Sequence, residues 1–135
     1  MQNRIVRVWV VMAVMLGAPA VRAVASGWQG TFRNDAVWSP QQNPYVVTGE
    51  LRVPKGVTLT LLPGTQVLFQ EGARIVINGR LLAEGTAARP IQFTRATATS
   101  RWLGLQFDQT TQDNRIRYAR LEYARTNDGM IGVQN

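Results

Sequence analysis

The chain has 135 residues, 15 Lys or Arg against 8 Asp or Glu, and neither Cys nor His. Without Cys or His there can be no disulfide, no Ser-His-Asp or Cys-His centre, no imidazole general acid or base and no His- or Cys-ligated zinc. Stability must therefore come from a packed core, which a chain of this length can build.

The first segment is read as a targeting signal before any fold is considered. Arg4 and Arg7 make a positive start, residues 8–16 are uninterruptedly apolar, and Gly17 and Pro19 break the run. Ala23 and Ala25 give a signal peptidase the small residues it requires, so residues 1–25 are expected to be a signal peptide, cut after Ala23 or Ala25. The apolar run is well short of the roughly 20 residues of a membrane-spanning helix. It is also too solidly apolar for an amphipathic presequence. Cutting after Ala23 removes Arg4, Arg7 and Arg22, leaving 12 basic and 8 acidic residues, a net +4 instead of +7. The remaining arginines are scattered singly among apolar segments, the mark of solvated strand faces and not of a polyanion tract. No phosphate-binding Gly-rich loop and no aromatic-basic platform is present, so no nucleic-acid partner is expected.

Residues 26–44 carry Trp28, Phe32 and Trp38 among Pro and polar residues and are expected to cover an exposed sheet edge as an N-terminal cap. From residue 45 onward apolar and polar residues alternate in segments of three to five, the pattern of half-buried strands. Strands are predicted at 45–47, 51–53, 58–61, 66–69, 75–77, 81–83, 91–93, 103–107, 115–118, 120–123 and 131–133. Turn residues stand between them, among them Pro54-Lys55-Gly56, Pro63-Gly64, Glu71-Gly72 and Asn78-Gly79.

Strands this short do not suit an ordinary sandwich, where about five or six residues are typical, nor a membrane barrel, whose strands need about 9 to 11. They suit a coil in which each winding is a triangle of three strands. The predicted inward set is Val47, Leu51, Val53, Leu59, Leu61, Val67, Phe69, Ile75, Ile77, Leu81, Ile91, Phe93, Leu103, Leu105, Phe107, Ile116, Tyr118, Leu121, Tyr123, Ile131 and Val133. A pattern of apolar residue, Gly and two further apolar residues occurs at 47–53 and again at 77–83. The interval between the copies exceeds one regular winding, which implies an insertion or an irregular first coil.

The run Leu51-Arg52-Val53-Pro54-Lys55-Gly56-Val57-Thr58-Leu59-Thr60-Leu61-Leu62-Pro63-Gly64-Thr65-Gln66-Val67-Leu68-Phe69, with Val37-Trp38-Ser39-Pro40, Pro44-Tyr45-Val46-Val47, Ile91-Gln92-Phe93-Thr94 and Trp102-Leu103-Gly104-Leu105, resembles the cap and first coils of right-handed parallel β-helix repeat proteins of the pectate-lyase-like fold. The resemblance implies an all-β, right-handed parallel β-helix: cap at 26–44, coils over 45–135. It is weak for function, because lyases, adhesins and proteins of unknown role share this fold. The coils are expected to be incomplete at the C-terminal end. Residues 133–135 fall in mid-coil, and Asn127 and Asn135 stand where longer relatives stack amides. An open last coil allows end-to-end self-association.

Lyases of this fold use carboxylate-held calcium and a proton-abstracting Arg. Here Asp108, Asp113 and Asn114 are the only local acidic group, too few oxygens for calcium. No catalytic, cofactor-binding or metal-binding residue is assigned, and no cofactor is expected. The candidate ligand-facing residues are Arg115 and Arg117, which point the same way from one strand, and Trp102, an aromatic able to stack on a sugar ring.

The functional expectation is a non-enzymatic exported module, structural or adhesive, binding a polysaccharide or cell-surface partner. It would be secreted, periplasmic or at the cell surface, and not embedded in a membrane once the signal is cut. The alternative is the N-terminal part of a polysaccharide lyase or glycoside hydrolase whose catalytic coils lie beyond Asn135.

Overall fold

A computed structural model describes residues 27–125 and 131–134. The expected signal peptide and the amides of Asn127 and Asn135 lie outside the described residues. Within them are twelve strands, one short 3-10 turn at Pro40–Gln42, and no α-helix.

The strands are β1 (Trp28–Thr31), β2 (Ala36–Trp38), β3 (Tyr45–Val53), β4 (Thr58–Leu61), β5 (Gln66–Phe69), β6 (Arg74–Ile77), β7 (Arg80–Glu84), β8 (Ile91–Arg95), β9 (Leu105–Asp108), β10 (Arg115–Arg117), β11 (Ala119–Leu121) and β12 (Ile131–Gln134). All are paired in parallel, and no chain neighbours pair with each other. The chain winds instead as a β-solenoid of about four turns.

Three faces result. Face 1 stacks the first part of β3 on β5, β8 and β11. Face 2 stacks β1, the second part of β3, β6, β9 and β12. Face 3 stacks β2, β4, β7 and β10. β3 serves two faces because it bends through Thr48 and Gly49 without breaking, where the sequence reads as two strands.

The period-two alternation sends every second side chain to the axis. On face 1 Tyr45 lies in register with Val67, Val67 with Phe93 and Phe93 with Leu121. On face 2 the ladder is Leu51, Ile75, Leu105 and Ile131. On face 3 it is Trp38, Leu61, Ala83 and Ile116. Apolar residue thus stacks on apolar residue, and the inward side chains of the first three turns form one continuous core.

Several expectations need correction. The 47–53 and 77–83 segments are not equivalent, since Val53 pairs with Ile77 and Leu81 with Leu59. One winding carries Tyr45 to Val67 or Leu59 to Leu81, and a later, longer one carries Leu82 to Arg115 as the corners lengthen. Within the segment expected as a cap, residues 28–31 and 36–38 form strands that pair in parallel with β3 and β4. Their rings make an aromatic layer there, with Trp38 stacked on Tyr45 at 4.4 Å and Trp28 5.1 Å from Trp38.

Tyr118 and Tyr123 do not point inward. Both are more than half exposed, because each sits at a corner with positive φ (48° and 62°), which ends the alternation and turns the side chain outward. Ile131 and Val133 are in register with the core ladders yet exposed, since among the described residues no layer lies beyond them. Leu103, just before β9, is only half-buried.

Corners are held by two devices. Gly79 is required where a Cβ would collide with the main-chain carbonyls of Pro54 and Val57 in the turn above. Short polar side chains satisfy an N–H at the start of a strand in a neighbouring turn: Asp35 Oδ1 accepts from Thr58 N and Asn43 Oδ1 from Gln66 N, the first residues of β4 and β5, and Asn114 Oδ1 from Leu81 N, the second of β7, at 2.9, 2.8 and 2.6 Å. Among the described residues no helix is long and apolar enough to cross a membrane.

Candidate functional site: a groove on face 2

The outward positions of face 2 come from three successive turns. Glu50 and Arg52 leave β3, Arg74 and Val76 leave β6, and Gln106 and Asp108 leave β9, brought side by side by the register. Glu50 is the hub. Its Oε2 accepts from Arg74 Nη2 at 2.6 Å and Nε at 2.9 Å, and its Oε1 accepts from Arg52 Nη2 at 2.8 Å. These bonds, Arg74 first and Arg52 second, hold the Glu50 carboxyl below its usual range, against a smaller opposing effect of burial.

The network continues in both directions. Arg74 Nη1 donates to Gln106 Oε1 at 3.4 Å, and Arg52 Nη1 donates to Asn78 Oδ1 at 2.8 Å. Asn78 Nδ2 in turn donates to the Asp108 main-chain oxygen at 2.9 Å. Val76 is enclosed by this ring. It points outward between Arg52 and Gln106 in register, yet is only 4% exposed, because the longer polar side chains lie over it.

Of these residues Arg52, Arg74, Val76, Gln106 and Asp108 line a groove of about 360 Å³ that extends to Gly132 and Gln134 of the last turn. Leu103, Phe107 and Val133 add apolar wall to it. The lining carries the guanidinium groups of Arg52 and Arg74 and the carboxylate of Asp108, and both arginines are ion-paired to Glu50 beside the groove. Fixed donors and acceptors beside apolar patches suit a ligand that carries hydroxyls on an apolar frame. Among the described residues no group of three His, Cys, Asp or Glu could hold a metal ion.

The residues singled out from sequence lie elsewhere. Arg115 and Arg117 do point the same way from β10, both exposed, but on face 3. Arg115 is held by Asp113, with Nη2 2.8 Å and Nε 3.1 Å from Oδ2, and this carboxylate raises its already high pKa further, with a smaller contribution from Glu84. Arg117 lies in register with Glu84. Of the two, Arg115 is therefore ion-paired to a local acid.

Trp102 is not available to a ligand at all. It is wholly buried at the corner before β9, stacked on Phe69, and its Nε1 donates to the Glu122 main-chain oxygen at 2.7 Å. The groove residues give no local sequence signal, since Glu50 and Arg74 are far apart in the chain and meet only through the winding. The chain matches no protein-family model, no curated protein and no solved structure.

Proposed function

We propose that this chain is an exported β-solenoid binding module, related in kind to the pectate-lyase-like β-helices, that holds a hydroxyl-rich polysaccharide along face 2. The observation that carries this reading is the hydrogen-bonded groove over β3, β6 and β9, where Glu50 organises Arg52 and Arg74 around Val76. Sugar hydroxyls both donate and accept, and the groove offers guanidinium donors, amides of both kinds and a carboxylate. Parallel stacking sets the outward side chains of successive turns about 4.8 Å apart, so a polymer can be engaged at several points along its length. The aromatic layer of Trp28, Phe32, Trp38 and Tyr45 supports a capping role for the first turn. Export is supported by the Arg4 and Arg7 start, the apolar run over 8–16 and the small residues Ala23 and Ala25.

A glycan array followed by calorimetric titration tests the binding role. Arg74→Ala and Gln106→Ala should each weaken the polysaccharide bound by wild type about tenfold, the loss of roughly 1.4 kcal/mol expected for an engaged hydrogen-bonding group. Arg117→Ala on face 3 should not change it. Unchanged binding in both groove variants, or turnover of the polymer by this chain, would overturn the reading. Export is checked separately by the N-terminal residue of the secreted protein, which should be Val24 or Ser26.

A further inference from the structure

Where face 1 passes into face 2 in the third turn, the chain leaves β8 at Arg95, runs through Arg101 and the buried Trp102, and enters β9. A pocket of about 230 Å³ lies at this corner, lined by Arg95, Arg101, Tyr123 and Ala124. It is separate from the face 2 groove and shares no lining residue with it.

The pocket is built, not incidental. The Arg95 guanidinium carbon stands 3.8 Å from the centre of the Tyr123 ring, close enough for a cation–π contact that fixes the guanidinium plane. Tyr123 reaches that place because its backbone adopts the left-handed region, φ 62°, which a tyrosine rarely does unless its surroundings impose it. The surroundings are the buried Trp102. Its indole N–H holds the Glu122 oxygen, its main-chain oxygen accepts from Arg125 N at 2.6 Å, and it forms a parallel bridge with Ala124.

Arg95 and Arg101 both border this pocket, so an anion bound in it would meet two guanidinium groups. Among the described residues the ion pairs join Glu50 to Arg52 and Arg74, and Asp113 to Arg115, and none includes Arg95 or Arg101. Glu71 reaches the corner, with Oε2 3.2 Å from the Arg101 main-chain N–H, and Glu122 is exposed beside Tyr123.

We propose that this corner is an oxyanion site. Arg95 and Arg101 together take one sulfate or phosphate group, through the parallel N–H pairs that suit guanidinium to such oxygens. Tyr123 is a positioning residue that holds the Arg95 plane. The group is either a free ion or a charged substituent on a polymer, and both present the same oxygens to the site.

The test is a titration of the chain with inorganic sulfate at constant ionic strength, followed through the arginine Nε–H signals in a ¹⁵N correlation spectrum. The Arg95 and Arg101 signals should shift and saturate. R95Q and R101Q should each weaken sulfate at least tenfold, and Tyr123→Leu several-fold, whereas R117Q should leave it within twofold. Dextran sulfate and unsubstituted dextran then separate the sources. Dextran sulfate binding at least tenfold tighter per sulfate, with the same arginine dependence, identifies a polymer substituent, and equal affinity identifies the free ion. Shifts that rise linearly without saturating, or an equal loss in R117Q, would reduce the corner to diffuse positive charge and overturn the proposal. Because the groove variants Arg74→Ala and Gln106→Ala leave this corner intact, failure here and failure of the groove reading are told apart.

Discussion

Trp102 lies face to face on Phe69, with ring centroids 4.0 Å apart and planes 12° from parallel. This contact joins the corner before β9 to β5 of the turn above, and the indole N–H ties the same corner to Glu122 in the turn below. One buried ring thus connects successive windings of a fold whose strands are only three to nine residues long.

Trp102→Ala should therefore cost about 3 to 5 kcal/mol of unfolding free energy, the range for removing a large buried aromatic. Trp102→Phe keeps a stacked ring but leaves the Glu122 carbonyl without its donor, and should cost less, on the order of 1 to 3 kcal/mol. Urea unfolding of both variants checks this, and an alanine variant as stable as wild type would remove Trp102 from the core.

Leu59 and Ile77 are wholly enclosed in ladders on faces 3 and 2. Leu59→Asp or Ile77→Asp places an unpaired carboxylate where no water or partner reaches it, and should abolish folding. Thr60→Asp, one residue along β4 and pointing outward, should change stability by no more than about 0.5 kcal/mol. Circular dichroism and thermal melting discriminate: a native transition in both core variants contradicts the inward assignment.

The Glu50 network carries a pH dependence. Its folded carboxyl is held below the usual value of 4.5 by Arg74 and Arg52, so in acid the unfolded state binds a proton there more readily than the folded one. The resulting stability is present above the usual value and is lost as pH falls through the lowered one. No side chain of the three is less than a third exposed, which limits the contribution to about 0 to 1 kcal/mol and makes it weaker in salt. Glu50→Gln should narrow the gap between neutral and acid stability measured by urea unfolding at pH 7 and pH 3. An unchanged gap means that Glu50 is not what its two arginines stabilise.

Much of this is legible in the chain. The strands at Thr58–Leu61 and Gln66–Phe69 coincide with the alternating segments 58–61 and 66–69, and the inward residues expected from Val47 to Phe93 are buried without exception. Reading fails at corners. Tyr118 and Tyr123 continue the alternation on paper, but a positive φ there redirects them, and nothing in a tyrosine announces that conformation. Trp102 has the chemistry of a sugar-stacking surface, yet its fate depends on Phe69, one turn earlier in the winding.

The division follows from the range of the forces. Alternation of apolar and polar residues is a local property, and by itself it determined the all-β class, the short strands and which side of each strand faces the axis. Register between turns depends on how many residues each corner spends, and this varies, so that the winding from Leu82 to Arg115 is longer than the one from Tyr45 to Val67. Only the folded solenoid therefore decided that Glu50 meets Arg74, that Val76 is enclosed beneath Arg52 and Gln106, and that Arg95 and Arg101 share one pocket with Tyr123.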